Sequence, residues 1–131
     1  MKATAYVTFE FSENPRVPAN EPMDLMKASL LLESLDMLYD RPGGYDKTYG
    51  EIVYQEPGKD EIRYSFRYDI GTERERSLPE HIREHTLSRA AWMRAAELEE
   101  KEQELQDVLD FADKLQELIV DQLRAERAAR V

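Results

Sequence analysis

EHIREHTLSRAAWMRAAELEEKEQELQDVLDFADKLQELIVDQLRAERAARV, residues 80–131, holds neither glycine nor proline. Those two residues cost a helix interior about 1 and 3 kcal/mol relative to alanine, so a long run of Ala, Leu, Glu, Gln, Arg and Lys without them reads as helix. Unbroken, it would extend about 75 Å. The run changes character along its length. Residues 82–98 are rich in alanine, and Glu99–Glu104 is polar throughout. From Leu105 onward an apolar stripe of Leu105, Leu109, Ala112, Leu115, Ile119 and Leu123 repeats at helical spacing. The absence of Gly, Pro and Asn across the polar six residues argues for one continuous helix. The alternative is a helical hairpin with its corner there.

Working toward the N-terminus, Ser77-Leu78-Pro79 precedes the helical run, and Gly71–Pro79 is a charged connector. Residues 61–70 alternate cleanly, with Ile62, Tyr64, Phe66, Tyr68 and Ile70 on one side and Glu61, Arg63, Ser65, Arg67 and Asp69 on the other. That period of two marks a half-buried strand. Glu56-Pro57-Gly58-Lys59-Asp60 joins it to a preceding strand within residues 46–55, as an antiparallel hairpin would require. Gly50 in that strand predicts a bulge or a close approach.

Residues 3–11 alternate as well: Ala3, Ala5, Val7, Phe9 and Phe11 point one way, Thr4, Tyr6, Thr8 and Glu10 the other. Between these strands, residues 22–39 predict an apolar helix opened by Pro22, and Asp40-Arg41-Pro42-Gly43-Gly44 stops it. The order is strand, helix, strand, strand, which predicts an α+β fold. A three-stranded sheet (residues 1–78) carries one helix on its apolar face, followed by an amphipathic acidic helix or helical hairpin (79–131).

The 131 residues include 28 acids and 18 bases, for a net charge of −10. Residues 1–71 carry 13 acids and 8 bases, and residues 72–131 carry 15 and 10, so no basic segment hides in the total. Such a field repels nucleic-acid backbones and anionic membranes and favours a protein partner with a basic surface. The plainer reading is that the acids keep the chain dissolved. There is no cysteine, which excludes disulfides, thiolate metal sites and Cys nucleophiles. Met1-Lys2 leads directly into a strand pattern and no apolar run is long enough for a bilayer, so a cytoplasmic protein is expected.

Three places could carry function. His81-Ile82-Arg83-Glu84-His85 resembles the H-x-x-E-H pattern of inverted zinc metallopeptidases. The resemblance implies His81 and His85 as ligands on one helical face and Glu84 as the base of a small metal-dependent hydrolase. It covers five residues, and the third, carboxylate ligand of that family has no counterpart downstream. Two solvated histidines are the plainer reading, so no cofactor is expected. The uncovered sheet face, Thr4, Tyr6, Thr8, Arg63, Ser65 and Arg67, could stack bases, but the net charge opposes nucleic acid. The surface from Glu97 to Asp113 holds eight acids and one base, Lys101. Glu97, Glu100, Glu104, Asp107, Asp110 and Asp113 there could imitate the charge of a nucleic acid.

The chain therefore reads as a non-enzymatic regulator or inhibitor, phage-type, bound to a nucleic-acid-handling machine through an acidic helix. A structural homodimer built on the Leu105–Leu123 stripe is the second reading.

Overall fold

In the computed structural model, residues 3–38, 45–71, 76–95 and 102–129 are described, the side chains of residues 89–95 and Glu102 excepted. The fold is α+β, with the elements β1 (Thr4–Ser12), β2 (Pro22–Asp24), α1 (Leu25–Leu38), β3 (Asp46–Gln55), β4 (Ile62–Ile70), α2 (Leu78–Ala95) and α3 (Glu102–Ala129). The strands form one antiparallel sheet in the order β2-β1-β3-β4.

The sheet has four strands where the sequence pattern predicts three. Pro22, expected to open a helix, instead lies opposite Thr8 in the short strand β2. The helix starts only after Asp24, whose carboxylate oxygen accepts the Met26 backbone N–H at 2.9 Å. That is a helix cap, and it fixes the start of α1 at Leu25. Proline is tolerable in β2 because an edge strand needs fewer backbone donors.

The inner face of the sheet follows the alternation. Ala5, Val7, Phe9, Ile52, Tyr54, Phe66, Tyr68 and Ile70 are buried. Phe11 departs from it. The register of β1 against β3 shifts between Phe9 and Phe11, and this bulge turns Phe11 to the outside opposite Tyr49. Gly50 lies at the same level, and its lack of a side chain is required. A Cβ there would meet Phe66 Cζ at 2.8 Å and the Thr8 carbonyl at 2.9 Å. The Phe66 ring occupies that space and meets Phe9 edge to face at 6.1 Å.

All three helices contribute to the core on this inner face. Helix α2 opens with Ser77 and Glu80 exchanging backbone contacts in a capping box, and the Leu78 N–H donates to Ser29 Oγ of α1 at 2.9 Å. The expectation of one continuous helix over 80–131 is corrected. Arg83 of α2 pairs with Asp113 of α3 at 2.8 Å, and Ser77 shares a groove with Leu123. The two helices therefore lie antiparallel as a hairpin. The physical reason is burial: folding back lets α3 bury an apolar stripe that a protruding helix would leave in water. A single buried cluster takes residues from both sides of position 78, including Leu78, Ile82, Phe111, Ala112, Leu115 and Ile119. Among the described residues no helix is long and apolar enough to cross a membrane.

Candidate functional site

Helix α3 has two faces with different employment. The inner one is the stripe expected to bind a partner, and here it is corrected: Leu105, Ala112, Leu115 and Ile119 are buried in the chain's own core. Phe111 sits between Tyr54 and Tyr64 at 5.8 and 5.7 Å between ring centroids. Leu109 is half-buried, and Leu123 alone of the stripe is exposed. The sheet supplies the surface that a second copy was expected to supply.

The hairpin turn between β3 and β4 fastens α3 in place. Glu56 accepts from Lys59 at 2.8 Å, from Lys114 of α3 at 3.0 Å and from the Tyr54 hydroxyl at 3.0 Å. Those hydrogen bonds, Lys59 first, hold its carboxyl down to about 2. Burial, then the bond to Glu56, pushes the Tyr54 hydroxyl up to about 12.

The outer face of α3 is acidic. Glu104, Asp107, Asp110 and Asp113 are exposed, whereas Glu97 and Glu100 lie outside the described residues. Gln103 donates to Asp107 and Gln106 to Asp110, each at 2.9 Å, which fixes these carboxylates one turn along from their donors. Residues spaced by three drift around a helix, so Glu104 and Asp113 do not share a face. The ridge opposite the buried stripe runs instead through Asp110, Asp113, Glu117 and Asp121, all exposed. Glu117 and Asp121 thus belong to this ridge, although the sequence reading did not single them out. The i, i+3, i+7, i+11 spacing was available to find them once the buried stripe was taken as the inward direction.

The side chains of the His81, Glu84, His85 pattern make contacts within the protein. His81 rests on the Tyr68 ring at 4.8 Å, and its Nε2 meets the Arg67 carbonyl on the edge strand β4. Burial, then the Arg76 charge, lowers its pKa to about 4, so the ring is neutral near pH 7. Glu84 faces Arg76 at 3.4 Å. The His85 ring stacks near His81 at 6.5 Å. Among the described residues no three His, Asp or Glu side chains gather as a metal ion would require.

The residues of the open sheet face are where the alternation put them: Thr4, Tyr6, Arg63, Ser65 and Arg67 are exposed and Thr8 half-buried. Arg63 is held by Glu51 and Glu61, each at 2.7 Å, and Arg67 by Asp69 at 2.9 Å.

A four-stranded antiparallel sheet backed by three helices, with an acidic ridge along the last of them, defines the class as a small α+β module. The chain belongs to the family described as large polyvalent protein associated domain 25, whose model matches residues 1–103. That match covers β1 to α2 and reaches the first residues of α3. No curated protein and no solved structure matches the chain.

Proposed function

We propose that this protein is a non-enzymatic, protein-binding module that presents the outer ridge of α3 to a basic partner, acting as an accessory of a large polyvalent protein. The carrying observation is the division of labour on α3. Most of its apolar stripe, Leu105, Ala112, Leu115 and Ile119, is buried by the chain itself, so on the opposite side an outside partner of this helix meets Asp110, Asp113, Glu117 and Asp121. Of these, Asp110 is fixed by Gln106 and Asp113 is paired with Arg83, and the exposed row of carboxylates favours association with a basic surface. A groove that normally holds nucleic acid is such a surface, and a phage-type regulator or inhibitor of a nucleic-acid-handling machine fits this reading. The family's description, which ties the domain to large polyvalent proteins, agrees with an accessory role.

The test reverses Asp110, Glu117 and Asp121 to Lys together. All three are exposed, so the circular dichroism spectrum is expected to be unchanged. The partner recovered from the native cell and identified by mass spectrometry should be basic, should be lost with the reversed protein, and should release from the wild type as salt rises. A partner held equally well by both proteins at every salt concentration would remove the acidic ridge from the reading.

A further inference from the structure

Among the described residues the sheet has helices on its inner face only, and its outer face collects aromatic side chains in the open. Phe11 is 53% exposed, Tyr45 48%, Tyr6 41% and Tyr49 37%. Phe11 belongs to this group only because the bulge in β1 re-aims it, and its ring then lies 6.1 Å from that of Tyr49. Bulges commonly serve to re-aim one side chain, and here the side chain re-aimed is a large apolar one, turned into water. Between the aromatic groups, Val53 is buried on the same face, flanked in register by Tyr6 and Arg63.

The charge of this face differs from that of the molecule. Lys47, Arg63 and Arg67 stand against Glu10, Glu13, Glu51, Glu61 and Asp69, five acids to three bases, so only two of the ten surplus negative charges reside here. The guanidinium groups already hold carboxylates at 2.7–2.9 Å. A phosphate backbone would have to displace those carboxylates, and a strongly basic partner finds no net attraction. What fits is a surface that is itself near neutral, aromatic, and marked by both signs of charge.

We propose that the open face of the sheet is the contact surface between two copies of this chain, packed face to face about a two-fold axis. Each copy carries a charge of −10. The approach of least repulsion brings the two near-neutral faces together and points the acidic α3 ridges away from each other. An isologous contact must be self-complementary, and a face bearing arginines bordered by carboxylates offers each sign to its own copy. Tyrosine, phenylalanine and arginine are also residues that carry binding energy at the centre of an interface. Edge-to-edge pairing is the other way two sheets join, and here it is obstructed. β2 is three residues long, and on β4 the Arg67 carbonyl is taken by His81 of α2. This contact is separate from the α3 ridge, so one molecule could use both.

The test is the mass of the full-length protein in solution, by light scattering and sedimentation. The wild type is expected to have the mass of two chains at a few hundred micromolar. Phe11→Asp with Tyr49→Asp should halve that mass and leave the circular dichroism spectrum unchanged, because both side chains face outward. Should that pair disturb the fold, Tyr6→Glu alone gives the same reading on β1. Raising salt should strengthen the dimer, since it screens the mutual repulsion, whereas the same change weakens binding at the α3 ridge. The Lys reversal of Asp110, Glu117 and Asp121 should leave the dimer intact, which separates this surface from that one. A wild type of one-chain mass, a double variant that folds and stays dimeric, or a dimer lost on reversing the α3 ridge would each overturn the proposal.

Discussion

Tyr68 has one hydroxyl proton and two oxygens within reach of it. One is Oδ2 of Asp36 on α1, and the other is the Arg76 carbonyl at 2.6 Å, just ahead of α2. The Tyr68 hydroxyl donates toward both oxygens, and a proton on Asp36 would let both contacts be made in full, Asp36 donating to Tyr68 and Tyr68 to Arg76. The other carboxyl oxygen of Asp36 accepts the Gly71 N–H at 3.0 Å. Burial raises the Asp36 pKa from 3.8, against the lowering effects of Tyr68, Gly71 and Arg76. The same burial, with Asp36 beside it, pushes the Tyr68 hydroxyl up, so it stays protonated. The sign follows: the stability contributed by the protonated carboxyl is whole below pH 3.8 and is lost as pH rises through the higher folded value. Asp36→Asn keeps one acceptor and supplies a permanent donor to Tyr68. It should stabilise the protein at neutral pH by on the order of 1 kcal/mol, with the gain fading as the pH is lowered. Denaturant unfolding at several pH values reads this, and a loss of stability at neutral pH would show that Asp36 is an ionised partner of Arg76. His81, which packs on the same tyrosine, works in the other direction. Its contribution is whole above pH 6.5 and is lost as pH falls through about 4. Arg76, with Glu84 paired to it, His85 beside His81, and Asp69, whose charge also acts on His81, are further charged or titratable groups around this cluster.

At the scale of elements, α3 is a structural member before it is a surface. Leu115 is fully buried within it. Leu115→Ala should therefore cost about 2–5 kcal/mol, the usual range for a leucine removed from a packed core. The denaturation midpoint, followed by helical circular dichroism, checks this. A cost well under 1 kcal/mol would mean that α3 stands free of the sheet.

At the scale of the whole molecule, a core shared by β1, β3, β4 and all three helices predicts one cooperative transition. Tyrosine signals from Tyr54 and Tyr64, which touch Phe111, should change at the same denaturant concentration as helical circular dichroism. Two separated transitions would mean that the sheet and the helical hairpin fold as independent units.

Local pattern determined most of the elements. The alternation in Ile62–Ile70 announced β4 and its outward arginines, because a period of two is the geometry of a strand regardless of what lies beside it. Gly50 likewise marked a close approach before the Phe66 ring was known to fill it. The Asp24 cap and strand β2 were harder to see. Three residues carry little periodic signal, and Pro22 is compatible with both a helix start and an edge strand. Only the tertiary structure decided where α3 goes. Its stripe describes a helix that needs an apolar surface, but a second copy and the chain's own sheet satisfy that need equally in sequence. The choice was made by Phe111 fitting between Tyr54 and Tyr64, and by Glu56 receiving Lys114. These contacts join residues more than 45 positions apart, and a pattern read within one segment carries no record of them.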